Sequence, residues 1–204
     1  MPLARQRLLL LLFCILLIAI AGVLLDRPLA LWVHDRLYQS TLYLVAMQVF
    51  SLYDLAGVAL LVVTLLALVI RRSRPAGWGN DFVTAATAGL AALIVAESLK
   101  FAIGRPAVYP DFLVSGVTGL RPFHKGVFPS ATTAIVTAIV SVAWRLRPRA
   151  RALWAAVFLA APLAILITNS HWLSDVIAGG WLGAALGWWA LRVSHLRTRA
   201  SELP

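Results

Sequence analysis

The chain has little that can ionise. Of its 204 residues only 8 are acidic, and only 2 of its 18 basic residues, Lys100 and Lys125, are lysine. It has one cysteine, Cys14, which excludes an internal disulfide and leaves no cysteine cluster to hold a metal. Its few carboxylates are scattered along the sequence, so neither a metal nor another cofactor is expected. Charged residues make up 13% of the chain, in clumps separated by long uncharged runs. What fills those runs is apolar: 61% of residues are hydrophobic and the mean hydropathy is +0.88. A soluble domain of this length has no interior large enough for so much apolar surface. This is the composition of a membrane protein. The net charge of +10 does not point to nucleic acid. Most of the arginines sit in short segments between apolar runs, where positive charge orients a chain in the bilayer.

A membrane span needs about 20 apolar residues to cross a hydrocarbon core of about 30 Å. The uncharged run at residues 8–25 follows Arg5 and Arg7. It is longer than the apolar part of a typical signal peptide, and no clear small-residue cleavage site follows, so it reads as a retained first span. Residues 27–38 mix charge with Leu, Trp and Val and predict an interfacial helix, which includes His34. Residues 41–70 carry one charge, Asp54, and are too long for one perpendicular span. The second span is placed at 54–70, with a short lead-in helix before it. The remaining spans are expected at 82–103, 129–144, 152–169 and 173–191, with a Gly- and Pro-rich loop at 104–128. The predicted fold is all-α: one membrane domain, a six-helix bundle. Gly179, Gly183 and Gly187 share a face of the last span, a spacing that lets helices approach closely.

The basic residues orient this bundle. With the N-terminus in the cytoplasm, the cytoplasmic segments hold Arg5 and Arg7; Arg71, Arg72 and Arg74; Arg145, Arg147, Arg149 and Arg151; and Arg192, Arg197 and Arg199. That is 12 of the 18 basic residues, and every short cytoplasmic loop is basic. Both termini are then cytoplasmic, in what reads as a bacterial inner membrane. The basic residues left outside are not needed for orientation, and Lys100, Arg105, Arg121 and Lys125 crowd into one stretch.

Three polar patches fall at that outer, periplasmic face. The first runs from Glu97 through Lys100 to Gly104-Arg105-Pro106. Lys100 and Arg105 suit a phosphate or a lipid headgroup, and Glu97 suits a local ion pair with Lys100. The second contains Arg121, His124 and Lys125, then Pro129-Ser130-Ala131-Thr132. A proline and serine at a helix start present unpaired backbone N–H groups to an anion. The third is Asn169-Ser170-His171-Trp172-Leu173-Ser174-Asp175. His171 and Asp175, four apart on one helix face, suit a nucleophile or base and the carboxylate that orients it, or a structural His–Asp pair at a helix end.

The order Lys…Gly-Arg-Pro, Phe-Pro-Ser-x-x-Thr and His-x-x-x-Asp before a Gly-rich helix resembles the type-2 phosphatidic-acid phosphatase and vanadium haloperoxidase superfamily over nearly the whole chain. The resemblance implies a six-span fold and a histidine that attacks phosphorus. His171 and Asp175 match the nucleophile and its orienting carboxylate. Lys100, Pro129 and Ser130 match residues of the phosphate cradle. The family's pattern is K-x6-R-P, P-S-G-H and S-R-x5-H-x3-D. Here Ala107-Val108 stands for the first Arg-Pro, Ala131-Thr132 for Gly-His, and Ala164-Ile165 for Ser-Arg. The leaving-group acid and both expected arginines are absent. Arg105 lies two residues early, and Arg121, His124, Lys125 and Thr132 are the residues near enough in sequence to compensate. Acid catalysis alone contributes ~10²–10⁴-fold, although a diphosphate leaving group needs less of it.

Two functions follow. One is a divergent membrane phosphatase or phosphotransferase acting on a lipid phosphate or diphosphate through His171. The other is a non-catalytic relative that binds a phosphorylated lipid or serves as a partner subunit. A transporter is disfavoured, since the sequence shows no inverted halves.

Overall fold

The computed structural model describes residues 3–71 and 79–200, with side chains at 5, 6, 8–57, 59, 62 and 81–194. Arg72 and Arg74 lie outside the described residues, and the side chains of Arg7, Arg71, Arg197 and Arg199 outside the described side chains. The helices are α1 (Leu3–Ile20), α2 (Asp26–Leu37), α3 (Thr41–Arg71), α4 (Gly79–Ile103), α5 (Ala131–Leu146), α6 (Arg151–Ile167) and α7 (Leu173–Ala200). No strand occurs among the described residues.

The segment expected to lie apart as an interfacial helix continues the first span. Five residues of π-helix, Ala21–Leu25, join α1 to α2, and the backbone stays helical through Asp26. The first two helices therefore form one leg, and the bundle has six legs among the described residues. A π turn shifts the register of every side chain after it, and the first of these is Asp26. The expected lead-in helix and second span likewise form a single helix, α3. Nothing between Thr41 and Arg71 breaks it, since the segment has no proline and only one glycine.

Four helical stretches among the described residues are long and apolar enough to cross a membrane: Leu8–Leu37, Asp81–Phe112, Pro148–Ile167 and Leu173–Ser194. Thr41–Gly57 and Ala131–Leu146 are shorter apolar helices. The outside of the bundle is as apolar as its inside, and leucines along α1 such as Leu10 and Leu16 are more than half exposed. An exterior of that kind is stable against lipid tails and not against water. The chain is an integral membrane protein with several spanning helices.

Lipid tails solvate leucine as well as a protein core does, so helices here associate through close packing. The core is accordingly small-residue. Ala88, Ala92 and Ala96 of α4 and Ala131, Ala134 and Ala138 of α5 are buried together with Val142, Ala190 and Leu191. The α5–α7 seam is tighter still. A Cβ on Gly179, Gly183 or Gly187 would stand 2.4, 2.2 or 2.7 Å from the carbonyl oxygens of Ser130, Ala134 and Ala138. The three glycines let α7 lie directly on the α5 backbone. This seam fixes the start of α7 beside the start of α5, where the polar residues gather.

Candidate functional site

Helix α4 ends where Gly104 adopts a φ of 61°. A side chain there would collide with the Arg121 carbonyl, which lies 1.6 Å from an ideal Cβ position. Glycine is therefore required for the long loop to return onto the helix end. It returns through backbone bonds: Arg121 N–H to Gly104 O (2.8 Å), Phe123 N–H to Phe101 O (2.8 Å) and Val127 N–H to Arg105 O (2.9 Å). The first and second sequence patches are thus brought together by the backbone.

Arg105 sits between two carboxylates. Its Nη1 donates to Asp175 Oδ1 and to Ser174 Oγ, both at 2.6 Å. Its Nη2 donates to Asp26 Oδ2 at 2.6 Å. Asp26 also receives the Ser174 N–H at Oδ1 (2.9 Å) and the Ser174 hydroxyl at Oδ2 (2.5 Å). The guanidinium lies 5.2 Å from the Trp172 ring and 5.9 Å from Phe128. Asp26 and Asp175 are buried, at 2% and 0% exposure. Removing one member of such a buried cluster costs about 3–5 kcal/mol, because it strands an uncompensated charge.

Asp175 is the hub. Its Oδ2 accepts from the Trp172 N–H at 3.1 Å and lies 3.4 Å from His171 Nδ1. Its backbone carbonyl accepts the Ser130 N–H at 3.0 Å. His171 is buried, and among the described residues its Nε2 has no hydrogen-bond partner. Ser130 caps α5, accepting at Oγ from Thr133 N–H (3.4 Å) and Thr133 Oγ1 (3.0 Å). The amide assigned to phosphate from the sequence is therefore occupied by Asp175.

Lys100 donates to Glu97 Oε1 at 2.7 Å. Both residues line a cavity of about 500 Å³ between α3, α4, α5 and α6. Asp54 and Thr132 line it as well, and the Thr132 hydroxyl faces Asp54 Oδ1 at 3.4 Å. Arg121, His124 and Lys125 are exposed on the returning loop. His124 Nδ1 lies 3.1 Å from Pro122 O, and among the described residues neither Arg121 nor Lys125 meets a carboxylate. No group of three or more metal-ligating side chains occurs among the described residues.

The structure thus gathers Arg105, Ser130, His171 and Asp175 into one connected cluster. Lys100 and Thr132 stand at the neighbouring cavity, and Arg121, His124 and Lys125 on the surface. Two participants were missed in the sequence, Asp26 and Asp54. Each had a signal. Asp26 is the first charge after an apolar run, and Asp54 is the lone charge inside one.

An all-α membrane bundle with a buried His–Asp pair at the start of its last helix defines the class of protein. The profile of the PAP2 superfamily matches residues 80–199, more than half of the chain, and the chain belongs to that superfamily. Asp26 and Asp54 both lie outside the matched region. No curated protein and no solved structure showed a significant match to the chain.

Proposed function

We propose that this PAP2-superfamily protein binds a phospholipid at the outer face of a bacterial inner membrane without hydrolysing it. The observation that carries this reading is the pairing of Arg105 and Lys100. Arg105 is held by Asp26 and Asp175, and Lys100 by Glu97. Phosphoryl transfer depends on unpaired positive charge around the equatorial oxygens. Here two carboxylates outweigh one guanidinium before any phosphate arrives. Thr132 stands where the family places its acid, and a threonine hydroxyl does not protonate a leaving group at neutral pH. The orientation, with both termini cytoplasmic, rests on the distribution of arginine.

A second reading has its own support. His171 Nδ1 faces Asp175 Oδ2 at 3.4 Å, and among the described residues its Nε2 has no hydrogen-bond partner. A hydrolase of lipid diphosphates, whose leaving group needs little acid, would use that pair.

Phosphate release separates the two. The purified protein is incubated with phosphatidic acid, phosphatidylglycerol phosphate and undecaprenyl diphosphate, with His171→Ala as control. The binding reading expects no release above the control. Release that depends on His171 would replace it with the second reading.

A further inference from the structure

The cavity between α3, α4, α5 and α6 has a polar end whose charge does not suit the family's phosphate monoester. Lys100 brings one positive charge, and Asp54 and Glu97 bring two negative ones. Asp54 is exposed on a helix that is otherwise uncharged between Thr41 and Ile70. The Glu97 side chain is 54% exposed. A carboxylate on a membrane-spanning helix is costly unless a cation meets it. Lys100 is bonded to Glu97, and among the described residues Asp54 has only the Thr132 hydroxyl. The rest of the cavity is wall for an acyl chain: Leu93, Ile135, Ile139, Val140 and Val157. Trp154 lines it too, and its Nε1 is buried with no acceptor.

We infer that this cavity takes a zwitterionic aminophospholipid, its ammonium between Asp54 and Glu97 and its phosphodiester at Lys100. The inference rests on the lipid-binding reading and names the headgroup. The charge balance selects it. A monoester dianion would raise the excess negative charge at the polar end, and a glycerol headgroup would leave Asp54 unpaired. A primary ammonium supplies three donors, enough for both carboxylates and the Thr132 hydroxyl. The lysine keeps two donors for the phosphodiester while the third stays on Glu97.

The test is native mass spectrometry of the full chain, titrated with phosphatidylethanolamine, phosphatidylglycerol and phosphatidic acid of identical acyl chains. Phosphatidylethanolamine is expected to bind about tenfold more tightly than either acidic lipid, the size of one charge-assisted contact. Asp54→Asn and Glu97→Gln are each expected to erase most of that preference while phosphatidylglycerol binding holds or rises. Leu93→Trp, which fills the apolar wall, is expected to weaken all three lipids together. Equal or tighter binding of an acidic lipid by the wild type overturns the headgroup assignment and leaves lipid binding standing. So does an Asp54→Asn loss that is the same for every lipid. Failure of all three lipids to bind, or conversion of phosphatidic acid, overturns the lipid-binding reading itself. Unchanged retention on size exclusion and an unchanged helical circular dichroism spectrum show that each variant is folded.

Discussion

Asp26 Oδ2 and Arg105 Nη2 meet at 2.6 Å across 79 positions of sequence. The carboxylate comes from the N-terminal leg and the arginine from the Gly104-Arg105-Pro106 stretch at the end of α4. The pair joins the part of the chain outside the family match to the part inside it. It also converts an apparent phosphate ligand into a strut that orients Ser174 and Asp175 at the start of α7.

Loss of that strut has a large predicted effect. Asp26→Ala leaves Arg105 with one carboxylate and takes the acceptor from the Ser174 N–H. We expect a destabilisation of about 3–5 kcal/mol, seen as a lower midpoint in thermal unfolding in detergent. Asp26→Asn keeps the shape and should lose less. A midpoint unchanged by Asp26→Ala would mean that the cluster is not formed in the membrane protein.

Arg105→Lys is not conservative here. Lysine has no planar fork to reach Asp26, Asp175 and Ser174 at once. The expected loss is about 2–4 kcal/mol, from the charge-assisted bonds broken. The double variant with Asp26→Ala should lose less than the sum of the single losses, with a coupling of about 0.5–3 kcal/mol. Strict additivity would show that the two residues do not interact.

The glycine seam predicts a contrast within one residue type. Gly183→Ala pushes a methyl group to 2.2 Å from the Ala134 carbonyl, so α5 and α7 must separate, at a cost of about 1–3 kcal/mol. Gly57→Ala meets nothing within 4 Å and gains helix propensity, by up to about 1 kcal/mol. Thermal midpoints of the two variants should move in opposite directions.

Gly104→Ala tests the loop return. Its φ of 61° disfavours any side chain, and the Arg121 carbonyl leaves no room for one. Left-handed strain costs about 1–3 kcal/mol. Limited proteolysis should cut the 104–128 loop faster in this variant than in the wild type, before the helices unfold.

Much of this molecule was legible from one sequence. Apolar runs of span length mark the helices, and the Gly179, Gly183 and Gly187 spacing marks the α7 seam, because both are properties of a few adjacent turns. The His171–Asp175 proximity was legible from their spacing of four, although the expected shared helix face is not what joins them: α7 begins at Leu173, and His171 reaches Asp175 from the bend before it. The partners of Arg105 were not. From the sequence it was assigned to phosphate, because a basic residue in a motif loop gives no sign of which distant carboxylate will reach it. The continuity of α1 with α2 was also hidden, because charge at Asp26 and Arg27 reads as the end of a span whether or not the helix stops.

The sequence by itself determined the class of the protein and the stretches where its polar residues gather. Hydropathy, arginine spacing and three short motifs act locally, and the bilayer enforces their reading by allowing no unpaired backbone. Only the tertiary structure decided the charge of the candidate site. That depends on Asp26 and Asp54, carried in by the first and second legs of the bundle from outside the family motifs. Coulomb attraction in a low-dielectric interior follows distance in space, and the sequence holds that distance only after the helices have packed.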